Sequence, residues 1–515
     1  MHSSLAKLFV LGGFFVFNWI FLIGGKTMVR PELDECLAMR DHHSVIPVSR
    51  ELLSDVRTPI EVLKALRAKS KKCYLLESVE GGEKWGRYSF LGFDPRLSVR
   101  LRDGVASVIN GGTETTETGD PNALLRRIIS EYKPPRFDFL PPFTGGFVGY
   151  FSYDYIKYNE KSLRLTGNDP VGFDDFHMML FDKVIVFDHL RQKIILIINI
   201  KTDGLEANYR EAGAELDAIA RMINGGSKTQ SEPSGLLSDF RPVFSKEKYC
   251  GMVEKVRGHI YEGDIFQAVV SNRLEADFSG SLLNTYRVLR TINPSPYMFY
   301  LSFEDMEIAG ASPETLLSLV DGNLSTFPIA GTRQRGRTSE EDEKLTAELL
   351  ADEKELSEHN MLVDLGRNDL GRISDFGSVK VLDYLKVLRF SHVSHITSKV
   401  TGKLRSGLDP FDAVSAVLPA GTLSGAPKIR ACEIIDELEG LKRGVYGGAI
   451  GYIDFAGNMD LCIAIRMACS KNGKVYVQAG AGIVADSVPE NEFIECQNKA
   501  HAMANALRAS GEVEA

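Results

Sequence analysis

The sequence has no C-x-x-C pair. Its seven cysteines (Cys36, Cys73, Cys250, Cys432, Cys462, Cys469 and Cys496) are scattered and odd in number. This argues against a structural zinc site and favours a reducing compartment, the cytoplasm. There is also no run dense in lysine and arginine, and the formal charge is −9, so the chain has no footprint for a nucleic-acid backbone. GAPK at 425–428 lacks Walker spacing. AGAG at 479–482 lacks the strand–GxGxxG–helix setting of a dinucleotide site. Internal repeats and low-complexity segments are absent.

Past residue 27, no apolar run is long enough to span a bilayer. The first 27 residues differ, because Leu8 to Ile23 is apolar except at Gly12, Gly13, Asn18 and the amphipathic Trp19. This stretch has the character of a signal h-region or a short anchor, yet no A-x-A-like cleavage site follows. Met28 begins a polar segment that reads as an enzyme start. Residues 1–27 are therefore set apart as an apolar leader, read either as an upstream start that the mature protein lacks or as a signal or anchor, with no membrane association expected for the remainder.

What is present is the composition of a globular protein: 515 residues, 44% hydrophobic and 25% charged, enough for two core-bearing units. The run INGGSKTQSEPSGLLSDFRP, between Met222 and Pro242, is rich in glycine, serine and proline. It divides an N-terminal region, 28–240, from a C-terminal region, 241–515. In the first region IEVLKALRA predicts a short amphipathic helix and CYLLESV a strand. KVIVFDH and KIILIINI predict a hairpin. In the second, Lys246 to Glu262 reads as helix and FQAVVSNRLEADF as strand. The stretch from Gly444 to Gly480 reads as three strands joined by turns at Ala456–Asn458 and Lys471–Gly473, with antiparallel neighbours. A last helix starts at Pro489, with Ser487 as its expected N-cap.

Two helical segments carry acidic residues three apart: Glu355 and Glu358, then Glu492 and Glu495, the latter followed by Lys499. Each pair alone is the pattern of a solvated face. If the two faces converge, their oxygens suit a hard cation such as magnesium. A net-negative protein that binds an anionic metabolite needs such a concentration of positive charge. Three glycine-punctuated strings, PIAGTRQRGRT, LPAGTLSGAPK and QAGAGIVADS, supply backbone that an anion can approach closely.

The strings GDIFQAVVS, ASPETLL, PIAGTRQRG, ELSEHNMLVDLGRNDLGR, HVSHI, LPAGTLSGAPK, YGGAIGY, AIRM, QAGAGIVADS and EFIECQNKA occur in the order and spacing of the chorismate-utilising enzymes, which the chain resembles from residue 241 onward. LLES and NPSPYMFY resemble the feedback-regulated anthranilate synthase branch. The resemblance implies an α+β fold of antiparallel sheets in two layers flanked by helices, with the active site in a central cleft. It also implies a large subunit that makes anthranilate and pyruvate from chorismate and ammonia, in the first step of tryptophan synthesis.

Position by position, the resemblance makes Glu358 and Glu495 ligands of Mg2+, supported by Glu355 and Glu492. Glu314 matches the general acid, which requires a raised pKa and a desolvated setting. His395 matches the residue tied to loss of pyruvate, with His392 beside it as a decoy. Thr332 joins this catalytic set. Tyr446, Arg466, Gly425, Gly480, Ala481 and Gly482 match substrate contacts. Relatives that attack with water carry a lysine base where this chain has Gln267, and ammonia needs no base. Relatives that form a covalent adduct carry a lysine where this chain has Ala330. Leu76, Glu77, Ser78, Pro296, Tyr297 and Met298 resemble a tryptophan pocket, in which Glu77 or nearby carbonyls would take the ammonium group. No cysteine sits in a glutaminase setting, so a separate glutamine amidotransferase subunit is implied as the source of ammonia. The rival readings are an aminodeoxychorismate synthase and a non-catalytic amino-acid sensor.

Overall fold

The computed structural model describes residues 28–513 apart from 56, 79–85, 226–233 and 390–392. The apolar leader, the middle of the linker, the Gly81-Gly82 turn and His392 lie outside the described residues. Among the described residues, no helix is long and apolar enough to cross a membrane.

Local chemistry sets the elements. The helix Pro59–Arg67 starts where Thr58 and Glu61 form a reciprocal capping box and proline takes the first turn. Its apolar stripe, Ile60, Val62, Leu63 and Leu66, is buried. The expected hairpin forms, with Lys193 opposite Asp188. The helix at 246 is Lys246–Tyr261 and the strand after it Gln267–Ser279. The final helix, Pro489–Ser510, departs from expectation at its start. Val488 is the N-cap and bears no side-chain cap, while the Ser487 hydroxyl accepts from the Val484 N–H at 3.1 Å. Serine here closes the preceding turn.

The strands form two antiparallel sheets. The larger, of 13 strands, runs in order Val45–Leu53, Lys193–Lys201, Lys183–Asp188, Tyr88–Phe93, Lys72–Glu77, Tyr297–Phe303, Met306–Ser312, Met467–Lys471, Lys474–Ile483 and Gln267–Ser279, with short strands at its edge. The other, of 12 strands, includes Ile329–Gln334, Val393–Lys403, Thr315–Val320, Met459–Ile463, Ala449–Asp454, Gly146–Phe151 and Phe176–Phe181. Both draw strands from either side of residue 240. Side chains from both sheets, among them Tyr74, Tyr150, Phe181, Phe299, Leu301 and Ile450, form the core between them. Helices cover the outer faces. This is the two-layer α+β arrangement expected, and alternation along each strand supplies both apolar faces.

The sequence reading missed one break. Between residues 449 and 483 there are four strands, not three. Met459–Ile463 pairs with Ala449–Asp454 in one sheet, whereas Met467–Lys471 pairs with Lys474–Ile483 in the other. The chain crosses between sheets at 464–466, where Arg466 has φ +52°. The run is apolar because both halves are buried, so composition gives no sign of the crossing.

Candidate functional site

The site is built where the chain changes sheets. Arg466 stands at the crossing just described. Glu314 stands at another, between Met306–Ser312 of the larger sheet and Thr315–Val320 of the smaller. The crossings are tied together: the Ala311 N–H donates to the Arg466 carbonyl at 3.0 Å, and the Ile463 N–H to the Glu314 carbonyl at 3.0 Å. A strand that leaves its sheet turns side chains into the gap between layers, and two such departures open a cleft there.

A cavity of about 100 Å³ fills that gap, lined by Val269, Glu314, Thr422, Leu423, Tyr446, Ile465, Arg466, Gln478, Ala479, Gly480, Gly482 and Lys499. Five residues expected at the site, Glu314, Tyr446, Arg466, Gly480 and Gly482, thus meet. The sequence reading missed Thr422, Gln478 and Lys499 as wall residues. Thr422 stood in a motif read only for its glycines, and Lys499 only as a helical neighbour of Glu495.

The cavity wall is cationic on one side. Arg466 donates to the Lys499 carbonyl at 2.7 Å, and the Lys499 ammonium sits 2.6 Å from Glu495 and 3.2 Å from the Gly480 carbonyl. Burial lowers the Arg466 pKa, opposed by the charges of Glu314, Tyr446 and Glu495. An arginine stays protonated despite this, so the desolvated guanidinium is a place for an anion. Glu314 stands in the cavity wall, and burial there raises its pKa. The opposing influences are the Thr422 hydroxyl, which donates to its Oε2 at 3.2 Å, and the charges of Lys499 and Arg466. This is the desolvated setting a carboxylic acid needs to donate a proton near neutrality.

The glycines are explained by close approach. A Cβ on Gly480 would lie 2.7 Å from the Val270 carbonyl and 3.1 Å from the Tyr446 hydroxyl. Ala481 does not line the cavity. Alternation along Lys474–Ile483 turns it to the helix-covered face, where it is fully buried. Gly425 and Gly482 both make room for Gln267. A Cβ on Gly425, at φ +153°, would sit 2.1 Å from the Gln267 carbonyl, and one on Gly482 would sit 2.8 Å from Gln267 Nε2. Gln267 is 7% exposed, and its buried Oε1 has no hydrogen-bond partner among the described residues. Such an orphan acceptor calls for a donor.

The two acidic faces do converge. Burial raises the Glu358 pKa, and Glu355 and Glu495 raise it further against the opposing charge of Lys499. Burial also raises that of Glu492, with Glu495 contributing. Four carboxylates on the helices Glu353–Gly371 and Pro489–Ser510 thus form a field that repels its own charge and is offset in part by Lys499, Lys354 and, at Glu355, Arg333. That donor set fits a hard divalent cation. In a separate cluster, His259, Glu262 and Asp264, the Asp264 carboxylate is paired with the Arg430 guanidinium at 3.0 Å.

His395 is not in the cavity wall. It lies on Val393–Lys403 opposite Thr332, near Glu355, and burial lowers its pKa. Its Nδ1 is 3.0 Å from the Gly331 carbonyl. A carbonyl only accepts, so Nδ1 carries the proton and Nε2 is the basic nitrogen. Ala330 is buried and brings no nucleophile.

The residues likened to a tryptophan pocket split across one sheet. Leu76 and Tyr297 belong to the core between sheets, whereas Met298 faces the helix-covered side. Glu77 and Met298 are register partners. The Glu77 carboxylate is engaged by the Tyr286 hydroxyl at 2.6 Å, the Ser89 hydroxyl at 3.2 Å and Arg290 at 2.9 Å, which favours the nearby carbonyls, the other acceptors expected, for an ammonium group. The Tyr297 hydroxyl reaches across to Asp460 and Thr315, 2.9 Å from each, one residue from Glu314. Ser78 follows Glu77 at the strand end and Pro296 precedes Tyr297.

Residues 57–505 match the model of the chorismate binding enzyme family. The chain belongs to the chorismate binding enzyme family. It is 47% identical over 496 residues to anthranilate synthase component 1 of Acetivibrio thermocellus, covering 94% of this chain and all of that one. It is 44% identical to the protein of the same name from Aquifex aeolicus, covering 93% and 98%. Among solved structures, anthranilate synthase component I from Streptococcus pneumoniae superposes with a TM-score of 0.72 at 39% identity, over 88% of this chain and 98% of that one. The menaquinone-specific isochorismate synthase of Escherichia coli shares the fold, with a TM-score of 0.66 at 19% identity, over 92% and 98%.

Proposed function

We propose that this chain is the chorismate-converting component of an anthranilate synthase, acting in the cytoplasm on chorismate and ammonia. The observation that carries this reading is Gln267, a buried amide with an orphan acceptor beside the substrate cavity. An amide cannot deprotonate water, but its oxygen accepts an N–H of ammonia and turns the nitrogen lone pair toward the ring.

Ammonia attacks across the diene as Glu314 gives its proton to the departing ring hydroxyl, which leaves as water and yields 2-amino-2-deoxyisochorismate. In the second half, His395 Nε2 takes the ring proton beside the new amine. The bond to the enolpyruvyl oxygen then breaks, pyruvate is released and the ring becomes aromatic. Arg466 and the Tyr446 hydroxyl bind the enolpyruvyl carboxylate, while Thr332 and the N–H groups near Gly480 and Gly482 orient the ring. Glu358 and Glu495, braced by Glu355 and Glu492, would hold Mg2+, which when bound supplies positive charge for the ring carboxylate.

Residues 241–515 carry this chemistry, and 28–240 contribute the regulatory elements. Tryptophan inhibits by binding beside Leu76, Ser78, Pro296, Tyr297 and Met298, with carbonyls rather than Glu77 taking its ammonium group. The Tyr297–Thr315 contact links that pocket to Glu314. Ammonia comes from a glutamine amidotransferase subunit.

The test is anthranilate fluorescence from the purified chain with chorismate, ammonium and Mg2+, with and without chelator. Chelator-sensitive anthranilate is expected. An aminodeoxychorismate or isochorismate product would overturn the reading of Gln267 and Ala330. Glutamine should replace ammonium only once the partner subunit is added.

A further inference from the structure

Behind the substrate cavity lies a buried ion pair with no role in the chemistry above. Arg443 is 2% exposed and Glu439 4%. The guanidinium holds Glu439 through Nε at 2.9 Å and Nη2 at 2.6 Å. Its other donors reach main chain: Nη1 to the Leu423 carbonyl and Nη2 to the Val269 carbonyl, each at 2.6 Å. Its Cζ lies 4.5 Å from the Tyr153 ring centre and 5.9 Å from that of Tyr446. Glu439 Oε1 accepts from the Ser271 N–H and hydroxyl at 2.8 and 2.9 Å. The Ser271 hydroxyl in turn accepts from Gln478 Nε2 at 2.8 Å.

Val269, Leu423, Tyr446 and Gln478 all belong to the cavity wall, and they come from four separate segments of chain. The pair holds Val269 and Leu423 directly and Gln478 through Ser271, and its guanidinium lies against the Tyr446 ring. Stability alone is a weak account of the pair, because apolar side chains of similar volume commonly fold as well as a buried ion pair. What apolar groups cannot do is hold two carbonyls and a carboxylate at fixed angles, which the rigid guanidinium fork does and a lysine ammonium does not.

We propose that Arg443, oriented by Glu439, is a positioning residue that sets the spacing of the cavity wall and with it the affinity for chorismate. This rests on the reading that the cavity holds chorismate. The pair touches none of Glu314, Glu358, Gln267 or His395, so its loss should loosen substrate binding and leave the chemical steps largely intact.

The experiment compares the full chain with Arg443→Lys and Ser271→Ala in the anthranilate assay, together with calorimetric binding of chorismate. The expected result for Arg443→Lys is a KM for chorismate raised about tenfold, with kcat within about threefold of the parent. Ser271→Ala, which releases Gln478 and removes one of the donors to Glu439 while leaving the Arg443 fork in place, should raise KM about threefold and serves if Arg443→Lys does not fold. A merely structural pair would lower kcat through a smaller active fraction and leave KM unchanged. That pattern, or no change in either variant, overturns the proposal. If the parent makes no anthranilate, the functional reading falls, and the calorimetric affinities alone decide the positioning role.

Discussion

Replacing Thr422 by valine should move the pH profile without removing the chemistry. Thr422 donates to Glu314 Oε2 at 3.2 Å, a bond that favours the carboxylate and so opposes the upward push of burial on the Glu314 pKa. A hydrogen bond to a charged acceptor contributes about 1.5–3 kcal/mol, and 3.2 Å is long enough to put this one at the lower end. Losing it should raise the Glu314 pKa further. The sign follows from the role: the proton-donating form is present below the pKa and is lost as pH rises through it. The alkaline limb of kcat/KM should therefore lie at higher pH in Thr422→Val than in the parent. Glu314→Gln should remove that limb and lower kcat by about 10²–10⁴, the usual contribution of a general acid, or about 3–5.5 kcal/mol of barrier. The assay is anthranilate fluorescence across pH, at saturating Mg2+ and a constant concentration of unprotonated ammonia. An alkaline limb that stays in place in Thr422→Val and survives in Glu314→Gln would refute the assignment.

Glu358→Gln should raise the Mg2+ concentration for half-maximal activity at least tenfold. Burial and two neighbouring carboxylates raise the pKa of Glu358, so its charge costs stability at neutral pH, a cost absent once the medium is acidic enough to protonate it in folded and unfolded chain alike. In chelator, the variant should therefore melt higher than the parent at pH 7 and level with it in acid; a lower midpoint at pH 7 would contradict the convergence of charge. Gln267→Leu should raise the KM for ammonia about tenfold while the KM for chorismate stays within about twofold; the opposite split would show that Gln267 serves the ring instead. Tyr297→Phe breaks the bonds to Asp460 and Thr315 and should raise the half-inhibitory tryptophan concentration about fivefold; unchanged inhibition would count against this route to Glu314.

Much of the site was readable because its residues sit in contiguous strings. Spacing of three on a helix put Glu355 with Glu358 and Glu492 with Glu495, and the motifs named Glu314, Arg466, Tyr446 and His395. Periodicity also gave the helix at 59, the hairpin at 188–193 and the final helix. These are local properties, set by capping, alternation and helical period, and local sequence determines them. Tertiary structure alone decided that the two acidic faces meet, that Gly425 and Gly482 exist to admit Gln267, and that Ala481 faces away from the cavity beside two glycines that face it. It also decided that Glu77 is already spent on Arg290 and Tyr286. The sheet crossings at Glu314 and Arg466 were invisible because strands buried on both faces are apolar throughout, and nothing in such a run marks where it changes partners. Arg443 escaped for a related reason. Its worth lies in four cavity segments far apart in sequence, and only the folded chain brings them to one guanidinium.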